Sequence, residues 1–217
     1  MAKRQSSPSQ APAQSTDAFL RLVVKLVDAE GLGVLTTRKL SDHLGQSPMA
    51  IYAHAKSMPH LHALVTADCL RRLTEFIQLR VEKPQDDGRQ PQGAARLEAA
   101  LIASVDWAQR HPALFQSIMQ PWEAYQECKQ PVENAMNQVM AQLRALFVSV
   151  ADALHPGEPG RLVNLRPEQF LIMAQGLGAL VSTQRFGERD RLWRAVVASL
   201  ANMLYQDMLR EKTAIST

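Results

Sequence analysis

What the chain has little of narrows its class first. None of its 217 residues fall in an apolar run approaching the roughly 18 needed to span a bilayer, so no transmembrane segment is expected. The opening MAKRQSSPSQAPAQST has no apolar stretch after its basic pair and does not read as a secretory signal. Two cysteines, Cys69 and Cys128, are too far apart for metal-ligand spacing and read as reduced thiols of a cytoplasmic protein. Strand-like alternation flanked by turns is missing, as is any internal repeat, so the expected fold class is all-α. A nucleophile elbow, a P-loop, a dinucleotide fingerprint and a zinc-type His/Glu cluster are also missing. His60 and His62 are one residue apart and face different sides of a helix, which is poor ligand geometry. The chain therefore does not read as an enzyme, and no catalytic residue, metal or cofactor is assigned.

Charge is nearly balanced, with 24 basic and 21 acidic residues, but it is not evenly spread. Residues 1–57 hold seven Lys/Arg against four Asp/Glu and so carry the whole net charge of +3. A mildly basic head on a neutral body suits nucleic-acid binding without requiring it. Residues 1–16, rich in Ser, Gln, Ala and Pro, read as a disordered arm. Lys3 and Arg4 there are candidates for touching a minor groove or a phosphate.

From Asp17 the pattern is helical. Phe19, Leu22, Val23, Leu26 and Val27 form one apolar stripe, which Gly31 stops. A helix of about eight residues then runs from Thr36/Thr37 to Leu44, with Gly45 ending it. Ser47-Pro48 opens a third, short helix, because Ser caps free backbone N–H groups and Pro tolerates the first helical position. Ser57 caps a fourth. Helix, tight turn and capped short helix describe a helix-turn-helix, whose second helix presents its first residues to base edges in the major groove. Ser47, Pro48, Met49 and Ala50 lie on that leading turn, with Tyr52 on the same outer face, while Ile51 and Ala55 pack inward. The Tyr52 hydroxyl can reach a phosphate and its ring a thymine methyl; Arg38 can reach a guanine edge or a phosphate. His54 and Lys56 sit where phosphates pass.

The stretch LTTRKLSDHLGQSPMAIYAHAKSMPHLHALV (35–65) resembles the DNA-binding domain of the TetR family of bacterial regulators. With the preceding helix, the resemblance covers roughly residues 17–70. It implies a helix-turn-helix domain at 17–62 and a helical ligand-binding and dimerisation domain at 63–217. It also implies contacts to double-stranded operator DNA from Thr37 and Arg38 on the supporting helix. Ser47, Pro48, Met49, Ala50 and Tyr52 are then implied to face the groove, and His54 and Lys56 to hold phosphates. One departure is visible: the Lys that the family places after the capping Ser is Met58 here. A second concerns the ligand. Where the tetracycline-binding member carries a histidine late in its fourth helix this sequence has Thr74, so tetracycline is not the ligand implied.

Beyond a Pro/Gly-rich break at 82–93 the chain predicts helices at 97–110, 112–120 and 122–129, a long one from Pro131 to Leu154, a loop at 155–161, and two final helices at about 167–186 and 190–211. The resemblance implies a homodimer through those last two. Their stripes are Phe170, Met173, Ala174, Leu177 and Val181, and Trp193, Val196, Val197, Leu200 and Leu204, which can equally close an internal core. Trp107, His111, Phe115, Met119, Trp122 and Tyr125, faced by Met136 and Met140, are candidates for lining a pocket for a small hydrophobic or amphipathic inducer, or are plain core. The function expected is a ligand-responsive transcriptional regulator, a repressor by default. A ligand-free architectural DNA-binding protein is the alternative, and an all-α enzyme a more distant one.

Overall fold

The computed structural model describes residues 15–84, 88, 90–125, 128–154, 167–182 and 190–215. The N-terminal arm with Lys3 and Arg4, the expected loop at 155–161 and positions 183–186 of the penultimate helix lie outside the described residues, as does the side chain of Trp122. Among the described residues the fold is all-α, with nine helices and two short 3₁₀ turns. No helix among them is long and apolar enough to cross a membrane.

Four local signals build the N-terminal head. α1 (Thr16–Glu30), α2 (Thr37–Leu44), α3 (Pro48–His54) and α4 (Met58–Glu82) each follow a Ser or Thr that caps them. Ser15, Thr36, Ser47 and Ser57 accept the backbone N–H three residues on, at 3.2, 3.3, 3.2 and 3.2 Å. Each bond satisfies a donor that the helix itself leaves orphaned. Gly45 stops α2 in the left-handed conformation (φ 62°), open to glycine at little cost, and the chain can therefore turn at once into α3. Phe19, Val23, Val27, Leu40 and Ile51 close the head's core against Leu61, Val65 and Cys69 of α4.

α4 runs without a break through both the head and the body, so it forms a rigid strut 25 residues long. The body adds α5 (Ala94–Arg110), α6 (Pro112–Ile118), α7 (Gln130–Leu154), α8 (Pro167–Ser182) and α9 (Asp190–Ile215). α5 packs on α4, α8 and α9 and buries residues on most of its circumference, as a central helix must. Its buried Asp106 is held by Arg80 of α4 at 3.2 Å and Arg194 of α9 at 3.6 Å.

Three expectations change. The helix expected at 122–129 is one 3₁₀ turn, Trp122–Tyr125. The final helix extends to Ile215 rather than 211. Third, the stripe assigned to dimerisation on α8 faces inward: Phe170, Ala174, Leu177 and Val181 are buried in the body's core. So are Trp193, Val197 and Leu204 of α9. Of the two expected stripes only Val196 (42%) is exposed, and the other large apolar side chains these helices expose among the described residues are Ile172 (69%), Leu180 (41%) and Met203 (46%). α8 is apolar on nearly every side, so periodicity alone does not tell its two faces apart. Gly178 also serves the interior, since it brings α8 against the ring of Phe115.

Candidate nucleic-acid interface and effector cavity

The third helix turns its back to the head and its leading edge to solvent. Ile51 and Ala55 are buried, whereas Met49 is 80% and Tyr52 43% exposed. Ser47 and Pro48 are exposed on the first turn and Ala50 is half-buried. Arg38 and Lys56 stand in solvent on the flanks. Tyr52 is oriented rather than free: its hydroxyl and Thr37 Oγ1 are hydrogen-bonded at 3.0 Å, across from α3 to α2. Thr37 therefore orients Tyr52 of α3 from its own position at the start of α2.

His54 also packs within the head. Its ring stacks on Phe19 of α1 at 4.4 Å, with Thr16 Oγ1 3.5 Å from Nδ1, so it is first a packing group that ties α3 to α1. Met58, where the family pattern has Lys, packs half-buried against the head's core. Next to it, Lys56 N–H donates to His60 Nδ1 at 3.1 Å, which holds the turn between α3 and α4. On the supporting helix, His43 donates from Nδ1 to the Lys39 carbonyl and from Nε2 to Glu30, each at 2.8 Å. The Lys39 carbonyl first, and Glu30 after it, hold this imidazole above its ordinary value of 6.5.

The expected ligand residues do not converge on one pocket. Trp107 is buried in the head's core, and His111 beside it donates from Nδ1 to Asp28 of α1 at 2.8 Å. These two form the seam between head and body. Met119 is exposed. Tyr125 is buried with its hydroxyl in a network: 2.9 Å from Thr66 Oγ1, and donating to the Ser117 carbonyl at 3.2 Å. Burial pushes its phenol above the usual range. Met136 and Met140 pack, half-buried, on the main core. Cys69 is likewise plain core, its thiol pushed up to about 12 by burial, hence inert as a nucleophile.

The space lies elsewhere. A mostly apolar cavity of about 210 Å³ sits between α4, α5, α7 and α8, and of the expected ligand residues whose side chains are described only Phe115 lines it. α4 contributes Leu70, Leu73, Thr74, Ile77, Gln78 and Val81, which repeat at three- and four-residue steps. That second face of α4, distinct from the Leu61–Val65–Cys69 face, was the sequence signal for it. Thr74 and Ser104 spend their hydroxyls on carbonyls of their own helices, at 2.6 and 2.9 Å. Arg96 is different: its Nε is buried and has no hydrogen-bond partner.

Phe115 connects the two regions, because it lines the cavity and also belongs to the head's core. No family model matches this chain, and no curated protein matches it. Its fold is similar to that of a solved structure described as a protein with unknown function from Rhodococcus sp. RHA1, at 18% identity and a TM-score of 0.65, over 93% of this chain and 98% of that one. At that identity the likeness is one of fold alone.

Proposed function

We propose that this chain is a ligand-responsive transcriptional regulator of the TetR type, binding a palindromic operator as a homodimer and releasing it when a small effector enters the body. The observation that carries the reading is α3: a capped seven-residue helix locked by Ile51 and Ala55, with Met49 and Tyr52 left outward. A methionine 80% exposed beside an oriented tyrosine is a surface awaiting a partner, and Arg38 and Lys56 flank it with positive charge. Two such helices read successive major grooves when held about 34–36 Å apart, which calls for two-fold pairing. The exposed Ile172, Leu180, Val196 and Met203 of α8 and α9 support a second copy there, through side chains of which only Val196 belongs to the expected stripes.

Coupling follows the contacts. An effector between α4, α5, α7 and α8 meets Phe115; α6, which carries Phe115, begins at His111, and His111 holds Asp28 of the head. Displacing α6 therefore tilts α1 and with it the reading helix. Weakening operator binding tenfold needs about 1.4 kcal/mol of difference between the two states.

Selection of bound fragments from random duplex DNA tests the reading. The expected product is a palindromic site with half-sites about one helical turn apart, and Arg38→Ala weakens its binding by about 1–3 kcal/mol while the protein stays folded. Recovery of no preferred sequence would refute it and favour an architectural, sequence-blind binder.

A further inference from the structure

Resting on the reading of the cavity as the effector site, we infer that its ligand is a slender, apolar monoanion, namely a medium-chain carboxylate. Its head sits on the Arg96 guanidinium and its tail points toward Phe115.

Shape comes first. The α4 residues lining the cavity run from Leu70 to Glu82, about 18 Å at the helical rise. On α5 the lining runs from Arg96 to Ser104, the two ends lying about two turns apart. Arg96 thus shares one end with Val81 and Glu82, while Phe115 and Ile118 close the other, next to Leu70. Pockets for drug-sized ligands hold roughly 300–1,000 Å³, and an apolar cavity of about 150 Å³ holds benzene. A volume of about 210 Å³ therefore suits on the order of ten non-hydrogen atoms in a narrow chain.

Charge decides the head group. Arg96 lies in the first turn of α5, where the helix dipole disfavours a cation, and no acidic residue in that turn offsets it. Its Nε is buried without a partner, and among the described residues no carboxylate lies within ion-pair distance of it. Glu82 is the other charged residue lining the cavity; it is exposed at the rim, and Gln78 Nε2 donates to its carboxylate at 3.1 Å. Asp106, deeper in α5, is already held by Arg80 and Arg194. A carboxylate arriving at Arg96 meets a planar fork of donors that matches its two oxygens. The apolar walls, Leu73, Ile77, Val139, Leu143 and Phe170, then suit a hydrocarbon tail, with the uncharged Gln142 and Gln175 also in the lining.

The test is calorimetric titration of the purified full chain at neutral pH with octanoate, octanamide and octylamine. Octanoate is expected to bind at least tenfold more tightly than octanamide, and octylamine more weakly than either. Arg96→Gln should lose at least tenfold in octanoate affinity while leaving octanamide unchanged. Arg96→Lys should fall between, since it keeps the charge and loses the fork. Equal binding of octanoate and octanamide by the unaltered chain, tighter binding of octylamine, or no binding of any of the three at millimolar concentration overturns the inference, whatever the variants do. Failure here with a palindromic operator still selected leaves the DNA-binding reading standing. Octanoate binding with no operator preference sinks that reading and leaves the cavity's chemistry intact.

Discussion

Replacing Gly178 by alanine should destabilise this protein, although alanine is the better helix former. In a solvent-exposed helix interior the change is worth roughly 0.5–1 kcal/mol in favour of alanine. Gly178 is buried within α8, and an added Cβ would stand 2.5 Å from Phe115 Cζ, 2.9 Å from its Cε2 and 3.2 Å from Ala108 Cβ. Carbon atoms in contact prefer about 3.5–4.0 Å, so the ring must retreat by about 1 Å. Phe115 is only 3% exposed and is packed among head-core residues, so that retreat disturbs its neighbours. Overpacking of this kind costs about 1–3 kcal/mol. The net expectation is a loss of about 1–2 kcal/mol, or a fall in Tm of roughly 2–8 °C for a chain of this size. Urea unfolding followed by circular dichroism, with an unchanged slope against denaturant, measures it. The decisive arm is the same substitution in a Phe115→Leu background. There the clashing ring atoms are gone, and Gly178→Ala should become neutral or stabilising, a coupling of about 1–2 kcal/mol. An equal cost in both backgrounds would refute the contact as the cause, and stabilisation of the unaltered chain would refute the close approach itself.

Two further outcomes are expected. Ser47→Ala removes the cap from the Ala50 N–H and should cost about 0.5–2 kcal/mol, mostly local to α3, so that operator affinity falls more than global stability measured by denaturant; equal losses in both assays would argue against a reading role for α3. His43 should titrate above 6.5 by NMR, with Glu30→Gln lowering its midpoint, because both ring nitrogens face acceptors and both can donate only when the imidazole is charged. A raised folded-state value means that its contribution to stability is complete below 6.5 and is lost as pH rises through that folded-state value, and a midpoint at or below 6.5 counts against the geometry.

Most of the head was legible, although Leu22 of the expected α1 stripe is 38% exposed while Leu20 and Val24 beside it are buried. Ser47 and Ser57 cap the helices expected of them, Gly45 makes the turn, and Leu40, Ile51 and Ala55 face inward. The cavity was not. Trp107, His111 and Tyr125 stand out in the sequence as large or polar side chains near one another, yet Trp107 and His111 fill the seam and Tyr125 serves a buried hydroxyl network with Thr66 and Ser117. Arg96 does not stand out, because a lone arginine in an amphipathic helix reads as surface until its neighbours are in place. The same limit inverted α8: with Leu171, Ile172 and Met173 following Phe170, no stripe distinguishes the inside from the outside.

What the chain determines by itself is therefore whatever is decided within a turn or two of backbone. Caps, stops, helix lengths and the inward face of a strongly amphipathic helix depend on side chains three or four residues apart, and those spacings are written in the sequence. A void and a choice between two apolar faces are set by helices distant in the chain. The cavity is the space left where α4, α5, α7 and α8 do not close on each other, and the close approach of α6 to α8 depends on Phe115 meeting Gly178, far along the sequence from it. Only packing in three dimensions brings such groups together, so only the tertiary structure shows that Arg96 lines an apolar chamber with its Nε unpaired.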